Sequence, residues 1–351
     1  MTQGPVQISV FGKTDVGRTR DHNEDTFLVA DLTRRVASLH PEVREHEVGP
    51  RGSLFMVADG MGGAAAGEVA SRMAADLVFG HMTTVWPEDP EISANRFAYR
   101  MKEAVELANN RIHAHAKEHP EVRGMGTTAT VAGVFGTGLY LAQVGDSRAY
   151  LVRHGVATQI TKDQSLMQRL VEAGELTEEE AEQSERRNII LQALGPDPRV
   201  KVDLTYQELR QGDVLVLCSD GLSGQVRKDE IASVISGTPD LVEACAKLIE
   251  TANERGGPDN ITAVAARFHG GLPEADSAAG VGHQVYPLTE TESTTEPVPI
   301  YTGSPAPVPI GGPAEAPTQE ETQGQGGRKV VLGVLMLLLL AATLLLLFTE
   351  R

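Results

Sequence analysis

Cysteine is scarce: only Cys218 and Cys245 occur in 351 residues. Two thiols cannot staple a disulfide framework, and their scarcity fits a reducing compartment. Cys218 ends the apolar run 214–218, which reads as a buried strand, so its thiol is expected in a core. A thiolate that attacks phosphate needs an arginine six residues on, and those positions are Gly224 and Thr251. Positive charge is also short, with 31 Lys and Arg against 48 Asp and Glu. The resulting net charge of −17 argues against nucleic acid, whose phosphates are bound by a Lys and Arg surplus. Residues 1–12 lack a basic stretch followed by an apolar one, so no signal peptide is expected.

One long apolar run is present. Residues 330–348 carry no charge, are rich in Leu and are interrupted only by Gly333 and Thr343. About 20 such residues cross hydrocarbon as a helix, so 328–351 is expected to be a transmembrane segment. Arg328 and Lys329 precede it and favour a cytoplasmic upstream side. The expected location is the cell membrane, single-pass, with a C-terminal anchor and a cytoplasmic catalytic domain. From Gly270 to Gly327 there are nine prolines, eight acidic residues and no Lys or Arg. That composition buries too little apolar surface to fold and is expected to form a disordered linker. Residues 1–269 remain as the folded domain.

Within 1–269, apolar or β-branched runs at 53–58, 128–135, 139–144, 149–153, 214–218 and 261–268 are bounded by Gly, Asp or Asn and read as strands. Gly136-Thr137-Gly138 and His154-Gly155 read as hairpin turns. Phe97, Met101, Ala104, Val105, Ala108 and Ile112 recur at helical spacing and predict a helix over 94–118. Leu241, Cys245, Leu248, Ile249 and Ala252 predict another, stopped by Gly256 and Gly257. Hairpin-linked strands beside long helices indicate an α+β class with an antiparallel sheet.

Five acidic clusters sit at strand ends or turns: 20–25, 59–63, 145–148, 219–222 and 258–260. A single Asp-Gly is ordinary turn chemistry. Several carboxylates at the strand ends of one sheet can converge at one edge, where burial is costly unless they are paired or coordinated. Asp and Glu without His or Cys select hard cations, Mg²⁺ or Mn²⁺. Two such ions sharing a carboxylate activate a water and clamp a phosphoryl group. Arg20, five residues before Asp25, can grip a phosphate through two parallel hydrogen bonds.

With these motifs in order, the sequence resembles the PPM (PP2C-type) family of metal-dependent protein phosphatases over about residues 6–268. The motifs are Arg20-x-x-Asn23-Glu24-Asp25, Asp59-Gly60-Met61-Gly62-Gly63, Gly126-Thr127-Thr128, Gly145-Asp146-Ser147-Arg148, Ser219-Asp220-Gly221 and Pro258-Asp259-Asn260. Met61 makes it similar to the bacterial branch. The resemblance implies an αββα sandwich of two antiparallel sheets flanked by helices. It implies hydrolysis of phosphoserine and phosphothreonine in proteins by a water activated between two Mn²⁺ or Mg²⁺ ions. Asp59 would bridge the ions, the Gly60 carbonyl would bind the first, and Asp220 and Asp259 would complete the second. Glu24 and Asp25 would hold that second ion or its waters, Asp146 a third, weaker one, and Arg20 the substrate phosphate. Residues 161–195 would form the family's flap. Membrane-anchored Ser/Thr kinases are the implied opponents.

Two departures stand out. Met61 occupies the place of a His that eukaryotic members carry, which leaves a metal-bound water as the expected proton donor. Residues 31–52 form a long charged insertion, expected as a solvated loop. Other features carry no site. Phe11-Gly12-Lys13-Thr14 reads as a turn after the first strand, since Gln7 stands where a P-loop needs Gly. His113 and His115 point to different helix faces and read as surface residues. Trp86 reads as packing. The alternative from another class, a non-catalytic phosphoprotein-binding scaffold, would be expected to have lost ligands that Asp59, Asp220 and Asp259 supply here.

Overall fold

The computed structural model describes residues 4–63, 66–184, 186, 188–275 and 280–288. The chain begins with β1 (Val6–Asp15), β2 (Thr26–Asp31), β3 (Val36–Ala37), α1 (Pro41–Arg44), β4 (Glu45–Glu47), β5 (Ser53–Ala58) and β6 (Gly60–Met61). Helices α2 (Ala66–Thr84) and α3 (Ala94–Glu118) follow, then β7 (Gly126–Thr127), β8 (Ala129–Phe135), β9 (Gly138–Val144), β10 (Arg148–Arg153) and β11 (Val156–Gln159). The last part holds α4 (Leu166–Glu172), α5 (Glu178–Glu182), β12 (Asp203–Glu208), β13 (Val214–Cys218), α6 (Asp220–Ser223), α7 (Lys228–Gly237), α8 (Leu241–Glu254) and β14 (Ile261–Gly270).

The strands form two six-stranded antiparallel sheets, ordered β11-β10-β13-β14-β1-β4 and β12-β9-β8-β5-β2-β3, and a small β6-β7 pair. Period-two alternation builds the layers. Phe27, Val29, Phe55 and Val57 meet Val10, Leu215, Leu217 and Val264 between the sheets. Their neighbours Leu28, Ala30, Leu54 and Met56 face the opposite way, onto the stripe Phe97, Met101, Ala104, Val105, Ala108 and Ile112 of α3 and onto Ala70, Ala74, Val78 and Met82 of α2. Val214, Val216, Cys218, Ala263 and Ala265 face α7 and α8. The order of layers is helices, sheet, sheet, helices, as expected from the αββα resemblance. Strands with both faces covered read as continuous apolar runs, which is why they were legible.

The two predicted helices form where expected. Ser93 accepts from the Arg96 amide at the start of α3, and Asp240 from Val242 and Glu243 at the start of α8. After α8, Gly256 (φ 113°) and Gly257 (φ 45°) take backbone conformations that other residues avoid, which ends the helix.

Four expectations need correction. Phe11–Thr14 are not a turn; they pair with Ala265–Thr262 inside β1, which the ladder carries on to Asp15. The 31–52 insertion is not merely a solvated loop. Its Glu45–Glu47 segment pairs with β1 and covers that strand's open edge, Val43 is fully buried, and His46 bonds Ser53 Oγ and the Val43 carbonyl, each at 2.7 Å. His113 does not stand free in solvent; its Nδ1 bonds the Gly195 carbonyl at 2.7 Å. The ordered chain also does not stop at 269. The Tyr206 amide donates to Gln284 O and the Tyr286 amide to Leu204 O, both at 2.9 Å, while the Tyr286 ring packs 5.3 Å from that of Tyr140. β12 is an edge strand with unpaired backbone groups, and a short extended segment satisfies them whatever the composition around it. Residues 289–351, which include most of the expected linker and the apolar run 330–348, lie outside the described residues. No described helix is long and apolar enough to cross a membrane.

Candidate active site

Strand register brings the acidic motifs to one end of the sandwich. Thr26, just after Asp25, pairs with Ala58, just before Asp59, and the adjacent Val57 pairs with Thr130. Ala129 at the start of β8 pairs with Val144, which leads into Gly145 and Asp146. In the other sheet, Cys218 before Asp220 pairs with Arg148 and with Ala263 near the start of β14, which follows Asp259. Hydrogen bonds then join the sheets. Ser219 Oγ (2.7 Å) and Thr262 Oγ1 (2.6 Å) both donate to Asp25 Oδ2. The Glu24 amide donates to Asn260 Oδ1, whose Nδ2 donates to the carbonyls of Val16 and His22. Asn260 thereby ties the whole 16–24 loop to β14.

Close approach at this end is enforced by glycine. A Cβ on Gly221 would stand 2.0 Å from the Asn260 carbonyl, and one on Gly67 would stand 2.3 Å from Glu24 Oε2. The floor under Asp59 is made by threonines. Its amide donates to Thr128 Oγ1 (2.9 Å), its carbonyl accepts from Thr127 Oγ1 (2.9 Å), and Thr128 Oγ1 in turn bonds Ser147 Oγ (2.8 Å).

The electrostatics are unbalanced. Burial, followed by the charges of Asp25, Asp220, Asp146 and Asp259, holds the Asp59 carboxyl well above the usual range. Burial pushes Asp25 to about 7 against the hydrogen bonds from Thr262 and Ser219, and with Asp220 and Asp163 it pushes Asp146 to about 8. Asp220 is raised by burial and by the charge of Asp259, with Arg148 and Arg20 opposing. Glu24 is raised by burial, with Arg20 opposing. Asp25 Oδ1 and Asp146 Oδ1 are buried with no hydrogen-bond partner. Such orphaned acceptors are expensive in a protein interior.

Arg20 donates through Nη2 to Asp259 Oδ2 at 2.7 Å, with 49% of its side chain exposed. The structure therefore brings Arg20, Glu24, Asp25, Asp59, Gly60, Asp146, Asp220 and Asp259 to one place. Among the described residues no three acidic, His or Cys side chains already stand in a ligating arrangement. Asp259 is turned to Arg20, and Asp25 Oδ2 is occupied by two hydroxyls. The donor set nonetheless suits a hard divalent cation: all oxygen, mutually repelling, with two orphaned carboxylate oxygens. Ser219, Thr262, Asn260 and Thr128 were present in the motifs or beside them without an assigned role. The available signal was polar side chains such as Thr262 inside an otherwise apolar strand.

The Protein phosphatase 2C family model matches residues 43–264. A serine/threonine phosphatase of Listeria monocytogenes is 35% identical over 251 residues, covering 71% of this chain and 92% of that protein. The serine/threonine phosphatase of S. agalactiae superimposes with a TM-score of 0.64 at 33% identity, covering 74% of this chain and 98% of that one. The catalytic domain of the phosphatase PstP, solved in complex with two manganese ions, superimposes with a TM-score of 0.61 at 35% identity, covering 75% and 99%. With the carboxylate cluster in place and these likenesses beside it, the chain belongs to the protein phosphatase 2C family of metal-dependent protein serine/threonine phosphatases.

Proposed function

We propose that the chain hydrolyses phosphoserine and phosphothreonine esters of proteins in one step at the carboxylate cluster, without a phosphoenzyme. The observation that carries this is the pair of buried, unpartnered oxygens on Asp25 and Asp146, within a group of acids that the half-exposed Arg20 on Asp259 only partly offsets. Two Mn²⁺ or Mg²⁺ ions, when bound, supply a water of lowered pKa and neutralise the phosphoryl oxygens.

Asp59, the Gly60 carbonyl, Asp220 and Asp259 would hold the two ions. Ser219 and Thr262 keep Asp25 Oδ2 occupied, so Oδ1 is the atom left to face a cation or its waters. Glu24 assists there, and Asp146 serves a third, weaker ion. Arg20 exchanges Asp259 for the substrate phosphate, a movement that its exposure permits. Met61 carries no transferable proton, so the leaving alkoxide takes its proton from water.

The test is phosphate release from a phosphothreonine peptide by the full chain with Mn²⁺, with EDTA, and for Asp220→Asn. Loss of more than about a hundredfold is expected in the variant, beyond what residues merely supporting a metal site cost. Retained activity in EDTA, or a trapped covalent phosphoenzyme, would sink the proposal.

For the rest of the chain, residues 330–348 are proposed to anchor it to the cell membrane with the catalytic domain cytoplasmic, opposing membrane-anchored Ser/Thr kinases. Deleting 328–351 should move the protein from the membrane to the soluble fraction. If the distribution is unchanged, there is no anchor there.

A further inference from the structure

Residues 161–195 leave the sandwich after β11 and return to it, and their two ends are held differently. At the first end, Arg148 donates to both oxygens of Asp163, and Gln164 exchanges two hydrogen bonds with Gly145, at 2.9 and 3.0 Å. At the second end the grip comes from α3. Asn109 is 1% exposed in an otherwise apolar stripe, and a buried amide is costly unless paired. Its Oδ1 accepts from the Gly195 amide (2.9 Å), and its Nδ2 donates to the Asp197 carbonyl (3.0 Å). One turn on, His113 Nδ1 bonds the Gly195 carbonyl, which can only accept, so Nδ1 carries the proton. Gly195 itself has φ 104°, and a Cβ there would lie 2.7 Å from Ile112 Cγ2 and from the Met125 carbonyl.

The grip continues into the floor of the site. Leu194, fully buried, exchanges both backbone bonds with Thr127, at 3.0 and 2.8 Å. Thr127 pairs with Gly60, and its Oγ1 donates to the Asp59 carbonyl. Just before this anchor, Ile189 and Leu191 are 42% and 46% exposed, and the Leu191 amide donates to the Gln164 carbonyl, next to the bonds on Gly145. The residues gripped by α3 therefore join exposed apolar side chains to the strand pair beside Asp59.

We propose that Asn109 and His113 are positioning residues that hold the exit of the 161–195 segment in register with the site, and so govern how tightly a phosphoprotein is bound. The inference rests on the phosphatase reading above. An alanine at 109 would serve packing against the sheet as well as its neighbours Ala104 and Ala108 do. The amide spends both ends on residues 195 and 197, so what it adds is position. Freed of the clamp, Leu191 and Ile189 shift relative to Asp146, and a substrate that reaches them loses contacts. A substrate too small to reach them does not.

The experiment uses the full chain with Mn²⁺ and compares the wild type with Asn109→Ala and His113→Leu on a phosphothreonine peptide and on p-nitrophenyl phosphate. Mn²⁺ affinity is read separately by calorimetry. In Asn109→Ala the peptide KM should rise about five- to tenfold, while turnover of p-nitrophenyl phosphate and the Mn²⁺ Kd stay within about twofold. His113→Leu should do the same more weakly. Equal losses on both substrates would reduce the clamp to a structural contact, and an unchanged peptide KM would remove it altogether. If Asn109→Ala does not fold, the partly buried His113 position decides. An inactive wild type would instead overturn the phosphatase reading, and the clamp with it.

Discussion

The carboxylate cluster and the network between α2 and α3 are both groups of ionisable side chains held away from water, with opposite balance. Between the helices, Asp89 is paired with Arg96 and Arg100 at 2.9 and 2.7 Å, and Glu103 is paired with His81 at 2.9 Å and with Arg100. Burial alone would push Glu103 up, but the bonds from His81 and Arg100 win and hold it near 2. At the sandwich end, burial and like charge push Asp25 to about 7 and Asp146 to about 8, and two oxygens go unpartnered. Every charge in the first group has its complement in the chain. In the second group, among the described residues, only Asp259 has an ion-pair partner, the half-exposed Arg20, so most of its complement must come from outside, which is what marks it as the working site.

That contrast can be broken at its strongest point by removing Asp89. Asp89→Ala leaves two arginines facing a hole and should cost about 3–5 kcal/mol, read by urea unfolding, with no change in Mn²⁺ affinity. A small loss would mean that the helix network is screened by water and is no counterexample to the cluster. Saturating Mn²⁺ should next stabilise the wild type, by about 2.7 kcal/mol at a hundred times its Kd, reversibly with EDTA. A melting temperature indifferent to Mn²⁺ would leave the acidic cluster without its complement.

The pH dependences should run in opposite directions. Asp25 and Asp146 have folded-state values raised from 3.8 to about 7 and about 8. Their contribution is therefore fully present below about pH 4 and is lost as pH rises through 7 to 8, so the metal-free protein should melt lower at pH 8 than near pH 5. Glu103 is depressed from 4.5 to about 2, so its contribution is present above about 4.5 and fades as pH falls toward 2. Glu103→Gln should flatten the acid limb of the stability curve by up to about 2 kcal/mol, after allowing for screening at a partly exposed site. An acid limb unchanged by Glu103→Gln would remove that group from the comparison. The smallest effect is expected at Asp76 of α2, which belongs to neither cluster. Burial raises it to about 6 against Arg72, and its Oδ1 has no partner. Asp76→Asn should stabilise by up to about 1 kcal/mol above pH 6 and by nothing below about pH 4, since the penalty is that of the ionised form.

Much of the sandwich was legible because its signals are local. Strands covered on both faces carry unbroken apolar runs, and α3 carries its stripe at helical spacing. Helix α2 was missed: its buried face is mostly small residues, four of them alanine, which gives a weak periodic signal. The edge strand β4 and the docked 281–288 segment were also missed. Each is polar or short, and is held by backbone bonds to a strand that its own residues do not announce. At the site, the acids could be named from motifs, whereas Ser219 and Thr262 on Asp25, 194 and 237 residues away in sequence, could not be assigned there.

By itself the sequence determined the strands of the two sheets that it marks with apolar runs and the helices α3 and α8, and that acidic side chains stand at strand ends. Those depend on side-chain periodicity and on turn residues, which act over a few positions. Only the tertiary structure decided which carboxylate oxygens are occupied and which are left bare. It also decided that Asn109 grips the exit of the 161–195 segment, and that Tyr286 closes over the edge of β12. Each of these depends on atoms brought together from distant parts of the chain, and on a burial energy that exists only once the layers have packed.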